Sequence, residues 1–248
     1  MILLPIRTQL LKKGDPLSSF IKGAIENGDI VVVSSKAVAT VEGAAVDLSL
    51  LSPSKEAEEW SKKTERSPAF MEATLQELKR LRGKIVGSCR VALLTEVKPE
   101  GFPQGTILTA NAGMDESNID KNHAIGWPQD PVSSVRRLHK ELGNVGVMIT
   151  DSCCRPRRLG VTAFALVVAG FDPLVSLKNG TKDLFGKKMR LTTEAVADQL
   201  ATAANFLMGN DSQSTPVVII RDHGIPFSDY KGWVPGIEPE EDLFKGIL

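Results

Sequence analysis

Short apolar runs broken by Pro, Gly and Asn set the pattern of this chain. Asp15-Pro16 predicts a helix start, a capping carboxylate followed by proline in the first turn, and Asn27-Gly28 stops that helix after about Glu26. Ile30 to Val33 is a continuous β-branched run, a buried strand that delivers Ser34-Ser35-Lys36 at its end. Ser52-Pro53 and Ser67-Pro68 open two further helices, charged and exposed along one face. β-type runs follow near Lys84 to Val86, Arg90 to Leu94 and Gly105 to Ala110, the last ending in Asn111-Ala-Gly113. Asp130-Pro131 repeats the cap-and-proline signal for a helix that closes at Gly143. Val145 to Thr150 is apolar and β-branched and ends at Asp151, and Gly160 to Gly170 is a long core strand. Asn179-Gly180 is a turn signal. Val196, Leu200, Ala203 and Leu207 recur at helical spacing in a helix from Thr192 to Met208, stopped by Gly209. Val217 to Arg221 is a last core strand, and the Gly, Pro and acidic residues from Asp222 onward predict a loosely held tail. Helices and strands interleave without the regular alternation of a doubly wound sheet. The pattern therefore predicts an α+β fold with mixed sheets, as one domain over residues 1–221 and a C-terminal tail over 222–248.

The bulk numbers narrow the setting. A chain of 248 residues can bury a substantial core without staples. Thirty Lys and Arg balance thirty Asp and Glu, so net charge gives no reason to expect a nucleic-acid or membrane-surface partner. No apolar run approaches the ~20 residues of a membrane span, and Met1 to Arg7 lacks a signal pattern. Cys89, Cys153 and Cys154 are a poor disulfide framework. A cytoplasmic protein with reduced thiols is the expectation. Without secretion, Asn179-Gly-Thr181 and Asn210-Asp-Ser212 are chance matches to glycosylation sequons.

Candidate chemistry is confined to a few segments. Gly180 to Lys188 misses the phosphate-binding Walker loop: the glycine spacing is one too long and no Ser or Thr follows the lysine. No dinucleotide-binding glycine fingerprint occurs, and His123, His139 and His223 lack metal-ligand spacing. Asn111-Ala-Gly-Met-Asp115-Glu-Ser-Asn118 places a carboxylate in a loop of small and polar residues, hard oxygen ligands that suit Mg²⁺ or Mn²⁺. The same residues also suit a polar turn in which Asp115 or Asn118 caps a helix. Thr150-Asp151-Ser152 pairs a carboxylate with a hydroxyl at a strand end, an arrangement that holds a metal against phosphates or simply caps a loop. Arg155, Arg157 and Arg158 follow at once, an anion site or a solvated basic turn. Cys153 and Cys154 read as small buried thiols with no base beside them in sequence. Ser34-Ser35-Lys36 supplies hydroxyls and an ammonium that could cradle phosphate.

In order and spacing these segments resemble the coenzyme F420-0:γ-glutamyl ligase family over about residues 1 to 221. The resemblance rests above all on Ala110-Asn-Ala-Gly-Met-Asp115-Glu-Ser-Asn118 and Ile149-Thr-Asp151-Ser152. Pro5 to Asp15, Gly28 to Lys36 with Glu42-Gly43, Asp130-Pro131, Arg155-Pro156, Ala197-Asp198, Leu207-Met-Gly209 and Val218 to Arg221 follow in register. The resemblance implies a GTP-dependent ligase that joins L-glutamate to the F420-0 carboxylate through an amide, by way of an acyl phosphate, with two divalent cations (Mg²⁺ or Mn²⁺) and an intertwined homodimer. It implies that Asp115 and Asp151 are catalytic and hold one metal, and that Ser152 holds a second. Leu10, Leu11, Ser35, Lys36, Asn118, Met208 and Gly209 would surround the nucleotide, and Arg155 would meet an anionic substrate. The chain departs from the family pattern at Thr40 (usually lysine), Asn210 (usually a glutamate ligand), Cys154 (glycine), Arg157 (aromatic) and Gln199 (acidic). Those departures open two other readings: a relative that binds nucleotide or anion without turnover, and a ligase for another carboxylate acceptor.

Overall fold

A computed structural model describes residues 1–178 and 180–246. In chain order the elements are β1 (Ile2–Ile6), α1 (Leu17–Ile21), β2 (Ile30–Ser34), α2 (Ser35–Glu42), β3 (Val46–Asp47), α3 (Lys55–Thr64), α4 (Pro68–Arg80), β4 (Lys84–Cys89), β5 (Ala92–Val97), β6 (Ile107–Ala110) and β7 (His123–Ala124). They continue with α5 (Pro131–Leu142), β8 (Gly146–Cys154), β9 (Val161–Phe171), β10 (Val175–Ser176), β11 (Thr193–Glu194), α6 (Val196–Met208), β12 (Val217–Arg221) and β13 (Phe227–Trp233). The class is α+β. The Asn179-Gly180 turn signal falls partly on Asn179, which lies outside the described residues.

The main sheet has six strands in the order β1-β12-β2-β8-β9-β13. Only β2 and β8 run parallel; every other neighbouring pair is antiparallel. Side chains alternate across the sheet. Val31, Val33, Val147 and Ile149 join Leu17 and Ile21 of α1 and Val135, Leu138 and Leu142 of α5 in one core. Ile30, Val32, Met148 and Val168 join Leu200, Ala201, Ala204 and Met208 of α6 in a second. Where both faces are covered, Ile30–Val33 of β2 and Val147–Ile149 of β8, the strands are continuously apolar; polar residues begin at Ser34 and Thr150, toward the strand ends. A smaller body, the β4-β5-β6 sheet with α3 and α4, has its own core of Phe70, Met71, Leu93 and Met114.

Local structure departs from the sequence expectation in identifiable ways. α1 stops at Ile21, short of Glu26. The Asp29 carboxylate accepts the Glu26 N–H (2.7 Å) and draws that segment into a turn. Asp15 bonds the Lys12 N–H (2.8 Å) instead of capping the helix. α3 starts at Lys55 because Ser54, not Ser52, accepts the Ala57 N–H. By contrast, Ser67 and Asp130 cap α4 and α5 as their cap-and-proline signals predict. β8 does not end at Asp151; β9 pairs with it as far as Cys154↔Val161, so Asp151 sits within a strand. α6 begins at Val196, since Thr193–Glu194 pairs with β10, and its buried stripe is Ala197, Leu200, Ala201, Ala204 and Met208, not Ala203 and Leu207. The segment after Asp222 is not loose: β13 pairs with β9, and Trp233 packs edge-on against Phe102 at 5.7 Å in the core. Among the described residues no helix is long and apolar enough to cross a membrane.

Asp29, just before β2, is almost fully buried and accepts from Arg221 at the end of β12 (2.9 and 2.8 Å). Burial pushes the Asp29 carboxyl up, but the Arg221 guanidinium and the Glu26 N–H outweigh it and hold it below its ordinary 3.8. A carboxyl lowered in this way stabilises the fold above its unfolded value, and the contribution is lost as pH falls through the lowered value. Arg221→Gln, which strands a buried carboxylate, should cost about 3 kcal/mol in urea unfolding at pH 7. That cost should shrink as the pH falls, first above 3.8 as the stranded Asp29 of the variant takes up its proton and then below 3.8 as the paired Asp29 of the wild type does; a cost independent of pH would refute the linkage.

Candidate active site

The parallel pair β2–β8 ends at a cleft of about 990 Å³, at the upper end of the usual small-molecule range. Ser34 and Thr150 are register partners at its floor. Such carboxyl ends of adjacent parallel strands are where open sheets leave room for ligands. From Ser34 the chain turns directly into α2, a helix the sequence reading did not foresee. Ser34 has extended backbone at the N-cap and makes no side-chain cap bond. The first-turn N–H groups of α2, with Lys36 among them, therefore bring a partial positive charge to the cleft wall.

Asp115 comes from the other body. Its loop leaves β6 through Asn111 (φ 50°), Ala112 (φ 53°) and Gly113 (φ 80°), three successive residues in the left-handed region. Such backbone persists only where the surroundings fix it. Here the Leu93 N–H donates to Asn111 Oδ1 (2.9 Å), and the Ala112 N–H donates to Thr95 Oγ1 (3.0 Å). Asp115 and Ile125 exchange backbone hydrogen bonds of 2.9 Å. The carboxylate then accepts from the Glu116 N–H (2.7 Å), the Ser117 hydroxyl (2.7 Å) and the Lys36 ammonium. Lys36 also donates to Ser117 Oγ at 2.8 Å. Burial pushes Asp115 up, but these donors and the Lys36 charge hold it below the ordinary carboxylate value.

Asp151 projects from β8 into the same cleft. Its Oδ1 accepts the Ser152 N–H (2.9 Å), and its Oδ2 accepts Nε1–H of the buried Trp127 (2.6 Å). Burial raises its carboxyl above the ordinary value; the Trp127 and Ser152 bonds and the Lys36 charge act in the opposite direction without cancelling it. Two carboxylates around one ammonium are thus pushed opposite ways, the signature of a site prepared for charge.

With this geometry the comparison with known proteins is decisive. The sequence profile of the F420-0:Gamma-glutamyl ligase family matches residues 5–222. The chain belongs to this family. It is similar to proteins named coenzyme F420:L-glutamate ligase in several archaea. That of Methanocaldococcus jannaschii is 39% identical over 226 residues, covering 89% of this chain and 86% of the relative. That of Methanopyrus kandleri is 32% identical over 243 residues, 95% and 86% of the two chains. That of Methanothermobacter thermautotrophicus is 33% identical over 253 residues, 96% and 95%.

Most of the residues singled out from the family pattern converge. Leu10, Leu11, Lys36, Asp115, Asn118, Asp151, Ser152, Met208 and Gly209 all line the cleft. So do Thr40 and Asn210, two of the positions at which this chain departs from the pattern. Ser35 does not: it is buried, close enough to Asp151 for its hydroxyl to lower that carboxyl slightly. Arg155 does not either; it lines a second cleft, and the three arginines do not gather beside Asp151. Cys153 has its thiol pushed up by burial, so it is poorly suited to act as a thiolate nucleophile. Cys154 is exposed, not the buried thiol expected. His139 and His223 bond the backbone carbonyls of Val145 and Gly28, as structural histidines do, whereas His123 lies in the cleft wall. The sequence reading missed Ser117 and Trp127. The serine signal was present in the loop motif; nothing local marks the tryptophan, whose partner lies 24 positions away.

Among the described residues no three His, Cys, Asp or Glu side chains converge on one point. Of the four aspartates that line the cleft, Asp115 and Asp151 have carboxylates oriented by N–H groups, and the Ser152 hydroxyl lies beside Asp151 in sequence. That set fits a hard cation which keeps waters and phosphate oxygens as its remaining ligands. Lys36 stands where such a cation would neutralise Asp115.

Gly113 is the hinge of this arrangement. A Cβ there would meet the Trp127 ring at 2.6 Å, so the glycine lets the Asp115 loop close on the indole that holds Asp151. Gly101 shares the positive φ, but its Cβ would enter open space. Gly101→Ala should cost about 1 kcal/mol from backbone strain alone. Gly113→Ala should cost about 3 kcal/mol, strain plus overpacking. Equal losses in denaturant unfolding would show that the Gly113–Trp127 contact carries nothing.

Proposed function

We propose that this chain is a nucleotide- and divalent-metal-dependent γ-glutamyl ligase that forms an amide between L-glutamate and the F420-0 carboxylate, with GTP as co-substrate. The observation that carries this reading is the convergence of Lys36, Asp115 and Asp151 on one large cleft at the ends of β2 and β8, in a chain of this family. The nucleotide phosphates would meet the first turn of α2 and Lys36. Asp115, Asp151 and Ser152 would hold the cation, which when bound neutralises charge on the transferring phosphoryl group. Trp127 and the Ser152 N–H orient Asp151, while Glu116 and Ser117 orient Asp115. In the reaction a carboxylate oxygen of the acceptor attacks the γ-phosphorus and GDP leaves. The glutamate nitrogen then attacks the acyl carbon and phosphate leaves, with one proton released.

Exposed Leu159, Leu184, Phe185, Leu191 and Phe206 supply apolar surface that a homodimer would cover. Light scattering at micromolar protein should give twice the chain mass, and a monomer mass would refute the dimer.

Thr40 and Asn210 in the cleft wall favour a second reading, a divergent relative with weakened turnover or with another carboxylate acceptor. Each replaces a charge of the family pattern close to where phosphates and cations would lie, in a partly dry site where a lost charge is costly.

The test is a purified-protein assay with F420-0, L-glutamate, GTP and Mn²⁺, followed by mass spectrometry. The ligase reading expects one GDP per glutamyl unit added, and a rate loss of about a hundredfold or more for Asp115→Asn or Asp151→Asn. GDP without a glutamylated product, or no nucleotide use at all, would replace it with the divergent reading. Under that second reading Thr40→Lys with Asn210→Glu, made together because the charges are coupled, should raise the rate; a slower double variant would mark the native residues as adaptations of a working site.

A further inference from the structure

β8 passes from the first cleft into a second of about 560 Å³. Asp151 lines the first; Cys153, Cys154 and Arg155 line the second, with Phe164, Asp198 and the segment after β13. Most charges on its wall are neutralised locally. Lys84 pairs with Glu96 at 3.2 Å, and Lys245 pairs with Glu240. Asp242 is spent on the Phe244 N–H at 3.1 Å. Arg155 and Asp198 differ. Neither has an ion-pair partner among the described residues. The Arg155 Nε–H donates to Thr162 Oγ1 at 3.3 Å, leaving its terminal nitrogens without a protein acceptor among the described residues. Asp198 Oδ1 accepts the Ala165 N–H at 2.9 Å, and its other oxygen has no protein donor among the described residues.

The free Asp198 oxygen is open to the cleft and available to a ligand donor. Burial pushes Asp198 up, and the Arg155 charge opposes that shift without closing into an ion pair. Opposite charges lining one cleft, neither with an ion-pair partner among the described residues, suit a ligand that carries both an ammonium and a carboxylate. Phe164 and Phe102 on the same wall give an apolar surface for a short methylene stem. Asp151 and Cys153 lie two residues apart on one strand, about 7 Å. The two clefts thus lie against neighbouring stretches of one strand.

We propose that the second cleft is the amino-acid subsite, where L-glutamate binds as a zwitterion with its ammonium against Asp198 and a carboxylate against Arg155. This rests on the ligase reading for the identity of the amino acid. The Asp198–Ala165 bond and the place of Asp198 in the first turn of α6 also give it a structural role. The two roles separate cleanly in Asp198→Asn, which keeps the acceptor oxygen for Ala165 and removes only the charge.

The test measures binding of L-glutamate and of glutarate, which lacks the ammonium, by calorimetry to the free and the nucleotide-loaded protein. The same variants are assayed for the glutamate KM. Wild type should prefer L-glutamate over glutarate by about tenfold or more, the worth of one charge-assisted hydrogen bond. Asp198→Asn should erase that preference, and Arg155→Gln should weaken both ligands. Each variant should raise the glutamate KM by about tenfold or more while nucleotide affinity stays as in wild type. If wild type binds no glutamate in either state, or shows no preference, the proposal falls. It also falls if both variants keep the wild-type glutamate affinity and KM. Failure of the ligase reading shows separately, as absence of glutamylated product in wild type with the binding pattern intact.

Discussion

The ion pair between Lys36 and Asp115 joins the two bodies of the molecule. Lys36 belongs to the first turn of α2, set on the six-stranded sheet; Asp115 belongs to the loop that leaves the three-stranded sheet. An exposed pair of this kind would contribute little. This one is half-buried in a cleft, and the Ser117 hydroxyl bridges both partners. Its value lies in position: it fixes a carboxylate from one body against the strand ends of the other, beside Asp151. Lys12, Lys13, Asp120 and Asp211 also line the cleft, but Lys36 is the ammonium paired with Asp115.

Stiffness behind the site comes from backbone rather than from the charges. Three left-handed residues in a row, Asn111 to Gly113, are tolerable because Leu93 and Thr95 on the neighbouring strand bind the loop. The loop in turn lies against Trp127, whose indole N–H reaches Asp151. A displacement on the small-sheet side would therefore be felt at the carboxylate on the large-sheet side. Trp127 fixes the direction of the Asp151 carboxylate through that bond.

Much of this was legible in the chain. Asp115 and Asp151 stand out as carboxylates among small residues or after a β-branched run, although spacing alone suits a turn or a loop cap equally and only the family pattern singles them out. The cap-and-proline signals at Ser67 and Asp130 carry their own hydrogen-bond partners three residues on, so they are read locally and correctly. The remainder depends on partners far along the chain. α2 escaped notice because eight residues of mixed Ala, Val and Ser directly after a strand have no clear period. β8 outran its apolar core because β9 supplies a paired edge to Cys154, and pairing needs no apolar side chains. The segment after Asp222 looked loose, yet Trp233 is buried in one core while Ile225, Tyr230 and Val234 pack against the other. Arg155 was read beside Asp151 on sequence proximity alone; the extended strand carries it into the next cleft.

The central claim is that the cleft at the ends of β2 and β8 gathers a nucleotide and a divalent cation between Asp115 and Asp151. The most direct measurement is a crystal structure grown with Mn²⁺ and a non-hydrolysable GTP analogue, with Mn²⁺ located by anomalous scattering. The account predicts a peak about 2.2 Å from carboxylate oxygens of both residues, phosphates over the first turn of α2, and Lys36 moved from Asp115 toward them. A peak elsewhere, or a nucleotide bound with the Lys36–Asp115 pair undisturbed and no metal at Asp151, would contradict it.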